Sequence, residues 1–197
     1  MNNKYLLWLT LFITGSTSAQ LREVWHSGSI TLADHQVLVG KLSNVGAIDF
    51  VVFQSVEGKA TILAHKIKSF RYYDSTSNIN RQFVSIKEDN SFQFWKLYEV
   101  VVQGKAKVLR RQKAFDLPNS LHEINDYNYF ILHDDELIPM KKFRSALYPK
   151  LMNENPAEIE QFISSHHLNI NEMKAAILIL KEYNQLQRKN QLIAKLS

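Results

Sequence analysis

Phe92-Gln93-Phe94-Trp95-Lys96-Leu97-Tyr98-Glu99-Val100-Val101-Val102 runs into Gln103-Gly104-Lys105 and then into Ala106 to Phe115. The first stretch is dense in aromatic and β-branched residues, which suit a pleated, half-buried surface. The Gln-Gly-Lys triplet reads as a turn, and the second stretch returns alongside the first. The pair is an antiparallel hairpin.

Reading outward from this hairpin gives more of the same. Val24 to Leu32 and Val37 to Leu42 flank the turn Ala33-Asp34-His35-Gln36. Ala47 to Val56 and Ala60 to Ala64 flank Glu57-Gly58-Lys59. Ile67 to Tyr73 and Arg81 to Ile86 flank the polar loop Asp74 to Asn80. Pro118 to Asn125 is a polar connection, and Tyr127 to Leu132 pairs with Leu137 to Met140 around His133-Asp134-Asp135-Glu136. Serial hairpins joined by short polar turns predict an antiparallel meander, as a barrel or a sandwich.

The period changes near residue 141. Phe143 and Leu147 share a helical face over Lys141 to Leu151, with Pro149 near its end as a kink or stop. Asn155-Pro156-Ala157-Glu158 is a helix start with Asn155 as cap and Glu158 completing a capping box. Asn169-Ile170-Asn171-Glu172 repeats that signal before a last helix carrying Met173, Ile177, Leu180 and Asn184. From Gln187 onward the chain is polar and reads as a fraying tail. The fold class is therefore α+β: an antiparallel β-domain over 20–140, then a small helical segment over 141–197.

Met1 to Ala19 reads as a secretory signal peptide. Lys4 supplies the positive n-region, Tyr5 to Ile13 the apolar run, and Thr17-Ser18-Ala19 a small-residue cleavage site before Gln20. The run is shorter than the ~20 apolar residues of a membrane span, and no second run of that length follows. The expected location is the periplasm or the cell exterior. The chain has no cysteine, so packing must hold the fold without disulfides, and cysteine nucleophiles and thiolate metal sites are excluded.

The formal charge is +5 and unevenly placed. Residues 20–140 carry 14 basic and 14 acidic side chains, whereas 141–197 carry 9 and 5. Lys105, Lys107, Arg110, Arg111 and Lys113 form a basic run. In a strand, Lys105, Lys107, Arg111 and Lys113 share one face and Arg110 lies opposite. That stripe is the candidate binding surface, for an envelope protein, an anionic lipid headgroup or an acidic glycan. No aromatic-interleaved nucleic-acid motif accompanies it, and nucleic acid is not an expected partner. A second candidate is an apolar ligand site in the β-domain among Phe92, Phe94, Trp95 and Tyr98.

Catalytic signals are sparse. His133, Asp134 and Glu136 have donors suited to a metal-dependent hydrolase, but Asp is equally at home in a hairpin turn. Adjacent His166-His167 cannot chelate from one helix face and suits a helix C-terminus. No nucleophile elbow, phosphate-cradling loop or dinucleotide fingerprint is present. No cofactor or metal site is expected.

Gly28 to Asp34 leading to Val37 to Leu42, with Leu137 to Phe143 and Leu178 to Asn184, resemble uncharacterised signal-peptide-bearing proteins of Bacteroidota. The resemblance is one of pattern over most of the mature chain. It implies an envelope or secreted location in a Gram-negative bacterium and brings no catalytic residues with it. The first hairpin also resembles the strand–Asp–Gly–strand pattern of small SH3-like or Sm-like barrels, over a dozen residues that any β-hairpin can match, with His35 in place of the turn glycine. The sequence as a whole predicts an exported, non-catalytic interaction or structural protein, or alternatively a small-ligand or lipid-binding module.

Overall fold

The computed structural model describes residues 24–43, 48–88, 94–113 and 127–196. The signal-like segment 1–19, Phe92 and the connection 118–125 lie outside the described residues. Ten strands form: β1 (His26–Leu32), β2 (Val37–Ser43), β3 (Phe50–Ser55), β4 (Gly58–Leu63), β5 (Ile67–Asp74), β6 (Ile79–Lys87), β7 (Trp95–Val102), β8 (Lys107–Gln112), β9 (Tyr127–His133) and β10 (Glu136–Pro139). Every pairing is antiparallel.

The strands make one continuous sheet in the order β10-β9-β8-β7-β6-β5-β1-β2-β3-β4. Barrel and sandwich, both open at the sequence level, resolve into a single rolled sheet. Two meanders meet where β5 pairs with β1. A single 3₁₀ turn, Ala64–Lys66, carries the chain from β4 to β5. The roll is visible in contacts between strands far apart in the order. Asp49, just before β3, accepts the Leu97 amide of β7 at 3.0 Å. The Ala64 carbonyl accepts the Ser85 hydroxyl of β6 at 2.8 Å. Within the β2–β3 pair, Gly40 lets the Phe53 ring cross the strand, since a Cβ there would lie 2.7 Å from that ring. In the β1–β2 turn, His35 takes the left-handed conformation (φ 72°) that a turn glycine would supply.

Helical structure begins directly after Pro139. A 3₁₀ turn (Met140–Lys142) leads into a π-turn (Phe143–Leu147), then α1 (Tyr148–Glu154), α2 (Pro156–Ser165) and α3 (Met173–Leu196). Three details correct the expectations. Pro149 starts α1 rather than stopping a helix, because the first turn needs no intrahelical amide. Asn155 stands at the N-cap of α2 without a side-chain cap bond; its Oδ1 instead accepts Gln187 Nε2 at 2.8 Å. The chain beyond Gln187 does not fray but continues α3 to Leu196. His166 and His167 end α2 as expected. His167 adopts φ 50°, and the Leu168 amide closes onto the Ile163 carbonyl at 3.0 Å.

Two apolar clusters hold the molecule. One lies inside the rolled part and includes Ile30, Leu42, Val51, Phe53, Ile67, Phe70 and Leu97. The other joins β8–β10 to the helices through Val108, Ile131, Ile138, Phe143, Leu147, Ile179 and Leu180. Asn184 locks this second seam. Its Oδ1 accepts the Ala106 amide at 2.9 Å and its Nδ2 donates to the Ala106 carbonyl at 2.8 Å. Gly104 (φ +151°) passes so close that a Cβ would lie 2.2 Å from Asn184 Cγ.

Candidate binding site

Between the two clusters, one face of the sheet is charged. The register sets Tyr72 opposite Arg81, Phe83 opposite Glu99 and Glu99 opposite Arg110. With Asp74 on the same face of β5, this builds a ladder across four strands. Arg81 Nε donates to Asp74 at 2.8 Å and Arg81 Nη1 to Glu99 at 2.7 Å. Arg110 donates to Glu99 through Nε at 2.8 Å and Nη2 at 3.0 Å. The four side chains are 11–21% exposed. Burial alone would raise the Asp74 pKa, but the Arg81 guanidinium and Ser77 outweigh it and hold it at about 2. Burial pushes the Tyr72 hydroxyl up to about 12. At its far end the Arg110 guanidinium stacks 4.3 Å from the centre of the Tyr127 ring.

Tyr127 is also a wall of a concavity at the helical end of the sheet. A groove of about 970 Å³ opens where β9 and β10 meet the π-turn and the start of α3. Its floor is apolar: Met140, Phe143 and Ala176 are buried, with Tyr129, Ile170 and Met173 half-buried beside them. Its rim carries Lys113, Lys141 and Arg144 against one acid, Glu172. Arg144 Nη1 donates to Asn171 Oδ1 at 2.9 Å. Glu172 Oε1 accepts Asn169 Nδ2 at 3.2 Å. An apolar floor with a few convergent polar groups is the usual character of a ligand site.

The candidate cations from the sequence disperse. Lys105 sits in the β7–β8 turn, 3.0 and 3.1 Å from the Glu154 carboxylate oxygens, which raises its pKa. Glu154 also accepts the Tyr183 hydroxyl at 2.7 Å. Burial and that bond raise the Tyr183 pKa to about 12. Arg111 pairs with Asp49 through Nη1 at 2.6 Å and Nη2 at 3.0 Å. Lys107 is half-buried at the start of β8, and Lys113 lines the groove. The alternation of β8 holds, but Val108 and Leu109 are both fully buried, so this strand is covered on both faces there. Sequence periodicity gave no sign of that, because the second cover comes from strands distant in sequence.

The aromatic candidates also separate. Phe94 is 62% exposed. Trp95 packs on the cluster inside the rolled sheet. Tyr98 is fully buried, donates its hydroxyl to Glu88 and meets Phe130 edge-on at 5.3 Å. Strand alternation puts Trp95 and Tyr98 on opposite faces of β7.

The His133–Glu136 segment is a hairpin turn, with Asp134 and Asp135 at φ 48° and 61°, as a two-residue type I′ turn requires. His133 points inward, 2% exposed, with Nε2 3.5 Å from the Tyr183 hydroxyl. Glu136 reaches the other way to Lys150 at 3.2 Å. Among the described residues no group of three acidic or histidine side chains is placed to hold a metal ion. No described helix is long and apolar enough to cross a membrane.

Of the groove residues, Lys113 belonged to the candidate stripe; the others were not singled out as a site in the sequence. The available signal was Lys141-Lys142-Phe143-Arg144, where the basic excess of the C-terminal part begins. Set against protein-family models, curated proteins and solved structures, the chain matches none.

Proposed function

We propose that this chain is an exported, non-catalytic binding protein of a bacterial envelope, and that the groove between the sheet end and the helices is its contact surface. The observation that carries this reading is the groove itself: an apolar floor about 970 Å³ in extent, ringed by three cations and one acid. The signal-like segment Met1–Ala19 supports export. The Lys105–Lys113 stripe is a weaker contact surface, since Lys105 and Arg111 already hold carboxylates of the same chain.

Native mass spectrometry on protein purified gently from its own cells tests the reading. An adduct of a few hundred daltons indicates a small ligand, and one of protein size a macromolecular partner. Either supports the proposal if Lys141→Glu with Arg144→Glu abolishes it. These two side chains are exposed, whereas reversing Arg111 would break its pair with Asp49. A bare chain, with intact-cell crosslinks that the double variant leaves unchanged, refutes it.

A further inference from the structure

The chemistry of the groove narrows its occupant, provided the groove is the contact surface proposed above. We propose that it takes a single-chain carboxylate amphiphile of the fatty-acid class, with the tail on the floor and the head at the Lys141–Arg144 rim.

Three observations lead there. First, the rim has three cations and one acid, and the acid, Glu172, is engaged by Asn169. Lys141 forms no ion pair among the described residues. The planar fork of Arg144 suits a carboxylate. Second, the half-buried Tyr129, Ile170 and Met173, laid over the buried Met140, Phe143 and Ala176, offer apolar surface to a ligand's tail. Met140 and Met173 contribute unbranched, adaptable thioethers, which fit a flexible chain of variable path.

Third, the groove is poorly made for a peptide. An extended peptide brings amides and carbonyls that need partners, usually from a sheet edge. The edge strand at this groove is β10, four residues long and ending in Pro139, which has no amide hydrogen to offer. An acyl tail asks for no such partners.

The methionines provide the readout. Met140 and Met173 line the groove, whereas Met152 packs against the same apolar cluster without lining it. With methyl-¹³C methionine in the folded protein, decanoate should shift the Met140 and Met173 methyl signals and leave Met152 in place. Decan-1-ol, with the same tail and no charge, should bind about tenfold more weakly, the loss expected for one charge-assisted hydrogen-bonded contact. Acetate, with the head alone, should shift neither signal. Lys141→Gln with Arg144→Gln should weaken decanoate to the level of the alcohol, and an unchanged Met152 signal certifies the fold of that variant.

Equal shifts at Met140, Met152 and Met173, no shift at all, or equal affinity for acid and alcohol overturns the proposal. Silence of every probe alongside a native adduct that the Lys141/Arg144 variant removes also overturns it. In that last case the groove remains the contact surface and its occupant has a different chemistry.

Discussion

Asn184→Leu should be among the most damaging near-isosteric substitutions in the chain. Asn184 is 2% exposed and Ala106 fully buried. The amide of Asn184 satisfies both the amide and the carbonyl of Ala106, at 2.9 and 2.8 Å. Leucine has nearly the same shape and neither polar atom, so both backbone groups lose their partner in a place that water does not reach. Each orphaned buried group costs about 1–3 kcal/mol. The added apolar burial returns part of this, leaving a loss of about 3 kcal/mol. Domains of this kind have about 5–15 kcal/mol in total, so the fold survives but weakens visibly.

Urea unfolding followed by tryptophan fluorescence reads the loss as a lower midpoint at unchanged slope. In a thermal scan it corresponds to roughly 6–12 °C for a chain of this size. A loss under about 1 kcal/mol would refute the reasoning, since it would mean that Ala106 finds other partners and that the amide does not lock α3 to the sheet. The same lock positions Ala176 and Met173 at the groove, two and three turns earlier on α3. Ligand binding by Asn184→Leu should therefore weaken along with stability.

Glu99→Gln should cost about 3 kcal/mol, because it leaves Arg81 and Arg110 short of a shared counter-charge at 12% exposure; combining it with Arg110→Met should cost less than the sum of the two changes in a double-mutant cycle. Asp74 has a folded pKa of about 2 against an ordinary value near 4, so its contribution, on the order of 2 kcal/mol, is fully present above about pH 4 and lost as pH falls toward 2. Urea midpoints measured from pH 6 to pH 2 should show that slope, and Asp74→Asn should flatten it. Gly58 and Gly104 both have positive φ, yet a Cβ at Gly58 meets open space while one at Gly104 meets Asn184. Gly58→Ala should cost about 1 kcal/mol for backbone strain, and Gly104→Ala clearly more; equal midpoints in the two variants would contradict the tight packing of that turn.

The ten strands were legible because each hairpin announces itself locally, through alternation and a turn of suitable residues. The order in which they join was not. That β5 returns to β1 depends on the path of the Ala64–Lys66 turn, and nothing in Ile67 to Tyr73 names its partner. The helix start at Asn155 was legible, but the use of Asn155 was not; the signal at Asn169 marks a turn, and α3 begins at Met173. The Asn155 side chain was free to cap until Gln187 on α3 arrived beside it, a contact 32 residues away in sequence. The length of α3 was hidden for a different reason: Gln187 to Gln191 is wholly polar, and Leu192 and Ile193 beyond it are 63% and 57% exposed, so the last turns extend past the core. The charged ladder was hidden because Asp74, Arg81, Glu99 and Arg110 each look like a surface residue alone. Only strand register places them side by side.

That ladder also bears on how the groove acquires its sign. A sheet this wide presents one long face, covered by its own rolled end on one side and by helices on the other. Asp74, Arg81, Glu99 and Arg110 occupy the interval between those covers, where apolar side chains would be half-exposed and lone charges half-desolvated. Alternating the signs solves both difficulties, since each charge has an opposite neighbour and the set sums to zero. Arg110 then stacks on Tyr127 and shapes the inner wall of the groove without adding net charge to it. The cationic character of the groove must come from its rim. Neutralising Lys141 and Arg144 should therefore change what the groove binds with little effect on stability, whereas cutting the ladder at Glu99 should change stability first. If instead Glu99→Gln abolished anion binding in protein that was still folded, Arg110 would have to contact the ligand directly, and the division between scaffold and rim would be wrong.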